Sequence, residues 1–322
     1  MRNDMYDDRK LIHKDLKKYV SRLSVYGLAN DTPSHAAFSN RFSKAMYGFW
    51  SGRHSVMRQE YVRRSDGTVL RICIISPKKE NEIRKTGMLW LHGGGYNVGF
   101  PEEEVSYPDA FCSDGSAVVI MPDYRKSTEA PYPAALEDAY LTLQWMLVNA
   151  ERLQIRLDQI FVGGESAGGG LAAALSLYAR DQKEINIAFQ MILYPMIDDR
   201  PTVSSSHNTM PVWNTKHNEV AWNMYKGNLQ EVPSYCAPAR ETDYTHLPPA
   251  FTFVGELDPF YAETVRYFEE LYQADVPVMI RTFPGCFHAF DIMCPEAPIA
   301  KKARNLALKA FRFAQNHYIQ EQ

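Results

Sequence analysis

Between an apolar run, Ile160-Phe161-Val162, and an Ala/Leu-rich segment, Leu171 to Ala179, the chain reads Gly163-Gly164-Glu165-Ser166-Ala167-Gly168-Gly169. This stretch constrains the fold more than any other. It predicts a strand that turns sharply into a helix with a serine at the apex, the form of a nucleophile elbow. So tight a turn forces Ser166 into strained backbone and lifts its hydroxyl above the sheet edge. Gly164 and Gly168 leave room where a Cβ would collide. The helix N-terminus beside the serine offers free N–H groups and the positive end of the dipole.

Upstream, the apolar strand Leu89-Trp90-Leu91 ends in His92-Gly93-Gly94-Gly95-Tyr96. Consecutive glycines after a strand are costly to order, so their use asks for a reason. An HGGG loop lets backbone N–H groups approach a developing negative charge. Gly93 and Gly94, with the N–H of Ala167, are the expected oxyanion donors. A phosphate loop is the competing reading, but no GK[ST] follows and no G-x-G-x-x-G fits. His92 is expected to brace the loop.

A serine nucleophile needs a base and an acid at later strand ends, in the order Ser, acid, His. The strand Ala250 to Gly255 is followed by Glu256-Leu257-Asp258-Pro259, and Val278 to Phe283 by Pro284-Gly285-Cys286-Phe287-His288. Helical character between them, Tyr261 to Ala274, puts Asp258 and His288 one β-α-β unit apart at the edge that holds Ser166. His288 would take the Ser166 proton, and Asp258 would hold the ring in its tautomer. Asp198, Asp199, Asp291 and Glu165 are rival acids. Asp198 and Asp199 open a long insertion, and sequence neighbours are poorly oriented, which favours Asp258. The remaining histidines, 13, 35, 54, 207, 217, 246 and 317, read as surface or packing residues.

From about Met88 to the C-terminus the chain resembles the hormone-sensitive-lipase-like carboxylesterases of the α/β-hydrolase fold. The resemblance rests on HGGG, GESAGG, Asp258-Pro259-Phe260 and Phe287-His288-Ala289-Phe290, with Asp123-Tyr124-Arg125 and Pro133 to Asp138 between the loop and the elbow. The family often has aspartate at Glu165 and Ala-Pro at Ser127-Thr128. Ala262 replaces the second acid of its D-P-L-x-D-E run, while Glu263 is kept. Asp123, Arg125, Glu137 and Asp138 read as structural. The resemblance implies an α/β fold with a mostly parallel sheet, a metal-independent serine esterase acting on short to medium acyl esters, and no cofactor. A non-catalytic small-molecule receptor, or a peptidase, amidase or acyltransferase, are the other readings of this scaffold.

Composition fits one catalytic domain. Hydrophobic residues make up 45% and charged residues 23% of the 322, as in ordinary globular chains. A net charge of −3 gives no footprint for nucleic acid. No apolar run is long enough to span a membrane. Five scattered cysteines and a polar N-terminus suggest reduced thiols in the cytoplasm. Strand and helix alternate from about Thr68, predicting a parallel sheet covered on both faces. Two segments fall outside this rhythm. In residues 1–50, Leu11, Ile12, Leu16, Tyr19, Val20 and Leu23 recur at helical spacing with a Lys-rich opposite face. Residues 196–236 carry Trp213, Trp222, Met224 and Tyr225. The resemblance implies that the two form a helical cap over a core of 51–195 and 237–322, rather than a helix lying on a membrane surface. Tyr96, Trp213 and Trp222 are the candidate substrate-lining residues. The expected partner is a small ester, with a homo-oligomer left open.

Overall fold

Every residue of Lys85–Leu91 and of Ala117–Pro122 is buried, as strands covered by helices on both faces must be. The computed structural model describes residues 8–23, 26–79, 83–320 and 322. Among these residues, eight strands form one sheet: β1 (Ser55–Arg63), β2 (Val69–Pro77), β3 (Lys85–Leu91), β4 (Ala117–Pro122), β5 (Ile155–Glu165), β6 (Phe189–Leu193), β7 (Ala250–Gly255) and β8 (Val278–Phe283). Their order is β1-β2-β4-β3-β5-β6-β7-β8. The first two pairings, β1 with β2 and β2 with β4, are antiparallel, and the rest are parallel.

The helices are α1 (Val20–Leu23), α2 (Pro33–Ser43), α3 (Ser106–Phe111), α4 (Ala134–Val148), α5 (Ala167–Gln182), α6 (Thr215–Lys226), α7 (Tyr261–Gln273), α8 (Phe290–Met293) and α9 (Pro298–His317). Side chains on a strand alternate between faces, so β3 feeds two cores. Leu89 and Leu91 join Ile120, Val162, Leu171 and Leu175 on the α4–α5 side. Met88 and Trp90 join Phe161, Phe111 and Phe311 on the α3–α9 side. Each such fully buried Leu or Phe contributes about 1.5–3 kcal/mol.

The N-terminal segment departs from its pattern. Ile12, Leu16 and Leu23 are buried, but short turns (Asp8–Leu11 and Lys17–Tyr19) and the four-residue α1 replace one amphipathic helix. The His13 N–H donates to the Gly285 carbonyl at 2.7 Å, so the chain is tied across the β8–α8 loop instead of bonding along itself. The polar stretch before residue 8 lies outside the described residues. Among the described residues, no helix is long and apolar enough to cross a membrane.

Candidate active site

At the end of β5 the chain turns directly into α5, and Ser166 adopts φ 57° and ψ −122°, a conformation L side chains rarely take. A Cβ on Gly168 would run into the Leu91 and His92 carbonyls, and one on Gly164 into Gly168 and Leu91. The two glycines therefore let the elbow press against the end of β3.

Ser166 follows β5, Asp258 follows β7 and His288 follows β8, all at the carboxyl edge of the sheet. His288 Nε2 lies 2.8 Å from Ser166 Oγ, and His288 Nδ1 lies 2.8 Å from Asp258 Oδ2. A carboxylate can only accept, so Nδ1 carries the proton and Nε2 is free to accept the serine hydroxyl. The second Asp258 oxygen, Oδ1, accepts the Phe260 N–H at 2.9 Å, which fixes the carboxylate plane. Phe260 and Tyr194 stand edge-on to the imidazole at 5.0 and 5.2 Å between centroids. All three polar residues are buried. Such a chain can remove a hydroxyl proton and return it to a leaving group.

The rival acids are engaged elsewhere. Asp198 pairs with Arg200 at 2.7 Å, and Asp199 with Arg240 at 2.6 Å and Lys226 at 3.1 Å. Glu165 accepts from Tyr194, and Asp291 from Tyr107. Asp138 accepts from Arg64 and Arg125, and Asp123 pairs with Arg71 and Lys126, so these residues lock the segment between loop and elbow. Burial acts to raise the Asp123 carboxyl, but Lys126 and Arg71 together hold it below the usual range.

His92 braces the loop. Its Nδ1–H donates to the Gly93 carbonyl at 2.8 Å, and its ring stacks on Tyr124 at 4.1 Å. Burial pushes this imidazole down to about 3, so it stays neutral. Of the three expected oxyanion donors, the Gly93 N–H is already taken: it donates to Glu104 Oε1 at 3.0 Å. Gly94 lines the cavity beside Ser166, and Ala167 opens α5. Sequence reading missed Glu104 because nothing in its spacing ties it to the glycine loop.

A cavity of about 780 Å³ opens over Ser166. Gly93, Gly94, Glu104, Glu165 and Tyr194 line one side, and Trp213 and Val212 from the insertion another. Ala29, Asn30, Ser39 and Ser43 add a wall from the N-terminal segment. Two candidate lining residues lie elsewhere. Tyr96 is buried behind the loop, its hydroxyl donating to the Met196 carbonyl at 3.0 Å and its ring stacked on Tyr225 at 3.8 Å. Trp222 sits beside both on the inner face of α6. Aromatic contacts, stacked for Tyr96 and tilted for Trp222, hold these two rings in the packing and away from the cavity.

A strained serine at a strand-to-helix turn, a histidine and aspartate from later strands, and a glycine loop beside them define a hydrolase of the serine type. A sequence profile of the α/β-hydrolase fold matches residues 88–292. Esterase LipI of Mycobacterium tuberculosis is 33% identical over 233 residues, covering 70% of this chain and 72% of its own length. Carboxylesterase NlhH of the same species is 30% identical, covering 70% and 73%. The solved structure of a bacterial heroin esterase superimposes with a TM-score of 0.85 at 31% identity, covering 95% of this chain and 98% of that one. The chain belongs to the α/β-hydrolase family, in its hormone-sensitive-lipase-like carboxylesterase branch. It is an enzyme acting on carboxylic esters.

Proposed function

We propose that the protein hydrolyses short- to medium-chain acyl esters, acetyl esters foremost, through an acyl-enzyme on Ser166. The observation that carries this reading is the unbroken hydrogen-bonded line Asp258–His288–Ser166 at the floor of the cavity. His288 takes the serine proton as Oγ attacks the ester carbonyl, then gives it to the departing alkoxide. It next activates water to release the acid, while Asp258 stabilises the imidazolium. The Gly94 and Ala167 N–H groups receive the developing oxyanion, helped by the N-terminus of α5.

Residues 1–50 and 196–236 are read as the cap. Lining contributions from Ser39, Ser43, Val212 and Trp213 support this, since they come from those two segments and wall the cavity over Ser166. Closure excludes water and limits acyl length. A Pseudomonas putida relative, 27% identical, is named ethyl acetate hydrolase, which supports the acetyl reading. Five free, buried cysteines support a cytoplasmic setting. The test is a p-nitrophenyl ester series from C2 to C12 with Ser166→Ala as control. kcat/KM highest at the short end supports the reading; a maximum at C12 overturns the acyl preference, and a Ser166→Ala variant with wild-type rate overturns the mechanism.

A further inference from the structure

Behind the glycine loop runs a chain of hydrogen bonds to which the acyl-transfer chemistry above assigns no role. Tyr96 Oη–H donates to the Met196 carbonyl at 3.0 Å. The Met196 N–H donates in turn to the Ser166 carbonyl at 3.0 Å, which also accepts the Gly170 N–H at 3.0 Å. Tyr96 follows the three loop glycines, and its backbone sits at φ 62°, where a bulky residue is rarely found. Its own carbonyl accepts the Ser127 N–H at 2.8 Å, and its ring stacks on Tyr225 at 3.8 Å. Tyr96 and Met196 are both buried.

Gly170 shows how the contact is reached. It lies past the Gly164-x-Ser166-x-Gly168 elbow, in the first turn of α5, where a glycine is costly to the helix. A Cβ there would run into the Met196 carbonyl oxygen and the Tyr96 hydroxyl. The glycine therefore lets that hydroxyl and that carbonyl close on the start of α5.

The Ser166 carbonyl belongs to the peptide unit that carries the Ala167 N–H. That unit is planar and trans, so its N–H points opposite to its carbonyl. Holding the carbonyl from behind thus aims the N–H on the other side. At the first position of α5, the Ala167 N–H has no acceptor one turn back, so the helix itself does not direct it. The peptide of the other expected donor is held in the same manner. The Gly93 carbonyl, opposite the Gly94 N–H, accepts from His92 Nδ1 at 2.8 Å.

We propose that Tyr96 is a positioning residue for the oxyanion site. Through Met196 it fixes the plane of the Ser166–Ala167 peptide, and so the aim of the Ala167 N–H. The inference rests on the serine-esterase reading above, in which that N–H receives the oxyanion. Because Tyr96 also ends the glycine loop, one hydroxyl ties the loop to the elbow and keeps the two donors in register. The contact lies behind the loop, away from the cavity. Its loss therefore weakens hold on the transition-state charge while substrate binding stays as it was.

The experiment compares Tyr96→Phe with Tyr225→Phe by p-nitrophenyl acetate kinetics and by inhibition with a trifluoromethyl ketone. Addition of Ser166 Oγ to that ketone gives a tetrahedral adduct bearing an oxyanion, as the transition state does. Both changes delete one buried hydroxyl from the same ring stack, but the Tyr225 hydroxyl has no hydrogen-bond partner among the described residues. Tyr96→Phe is expected to lower kcat about tenfold with KM little changed, less than the roughly 10²–10³ lost when such a donor is removed outright. Its affinity for the ketone is expected to fall by a similar factor. Tyr225→Phe is expected to match wild type in kcat, KM and ketone affinity. A wild-type kcat in Tyr96→Phe overturns the proposal. So does a loss carried by KM, a loss of kcat with ketone affinity unchanged, or an equal loss in Tyr225→Phe. Ser166→Ala is the blank. A rate surviving in it marks failure of the esterase reading, whereas a wild type far above the blank and equal to Tyr96→Phe marks failure of this proposal alone.

Discussion

Ser166 Oγ and His288 Nε2 stand 2.8 Å apart although 122 residues of chain separate them. Parallel strands make this possible. β5 and β8 end at the same sheet edge, so residues following each strand meet there whatever their separation in sequence.

Removing the hydroxyl therefore removes the reaction. Ser166→Ala is expected to lower kcat for p-nitrophenyl acetate by a factor on the order of 10⁶, the loss seen when a comparable nucleophile is deleted. The melting temperature should stay near wild type, since alanine relieves no packing. Calorimetry with stopped-flow assays checks both.

Asp258→Asn keeps the shape but not the charge. The amide no longer enforces the Nδ1–H tautomer, and kcat is expected to fall by about 10⁴. Asp199→Asn is the contrasting variant. That carboxylate faces Arg240 and Lys226, so its loss should leave kcat near wild type and lower stability by about 1.5–3 kcal/mol. Chemical denaturation and steady-state kinetics separate the two effects.

Acid should erase the Asp199 contribution. Burial opposes ionisation there, but Arg240 and Lys226 outweigh it and hold the carboxyl below its ordinary range. A depressed folded value means that the stabilisation is complete above the unfolded value, about 3.9. It drains as pH falls through the folded one. The melting-temperature gap between wild type and Asp199→Asn is expected to narrow steadily as the buffer is taken from pH 5 to pH 3.

Two tryptophans of the insertion should behave differently. Trp213 lines the cavity and lies 6.1 Å from the His288 ring, so Trp213→Ala is expected to admit longer acyl chains and raise their kcat/KM relative to acetate. Trp222 packs behind Tyr96, and Trp222→Ala is expected to cost about 3–5 kcal/mol with the chain-length profile unchanged. One ester series and one melting curve per variant test this.

Much of the site was legible in the residue order. The Gly164-x-Ser166-x-Gly168 spacing has few uses other than a turn that tolerates no Cβ, and the structure shows the positive φ and the collisions that explain it. Strand ends could be read because β7 is a short apolar run and β8 a short run rich in β-branched residues, each bounded by turn residues. The N-terminal pattern misled: its apolar spacing suits a helix, yet the His13 N–H finds the Gly285 carbonyl, a partner that exists only once β8 is in place. Tyr96 and Trp222 misled in a similar way, since large aromatic rings serve a wall or a core equally well, and neighbours decide which.

Local chemistry along the chain determined the elbow, the glycine loop, the order of serine, aspartate and histidine, and the alternation that yields a covered parallel sheet. These depend on steric fit and periodicity within a few residues. Only the tertiary structure decided that Glu104 takes the Gly93 N–H, that Asp199 belongs to Arg240, and that Trp213 rather than Trp222 lines the cavity over Ser166. Those choices turn on contacts between distant segments, where ångström-scale distances and burial, not spacing, select the partner.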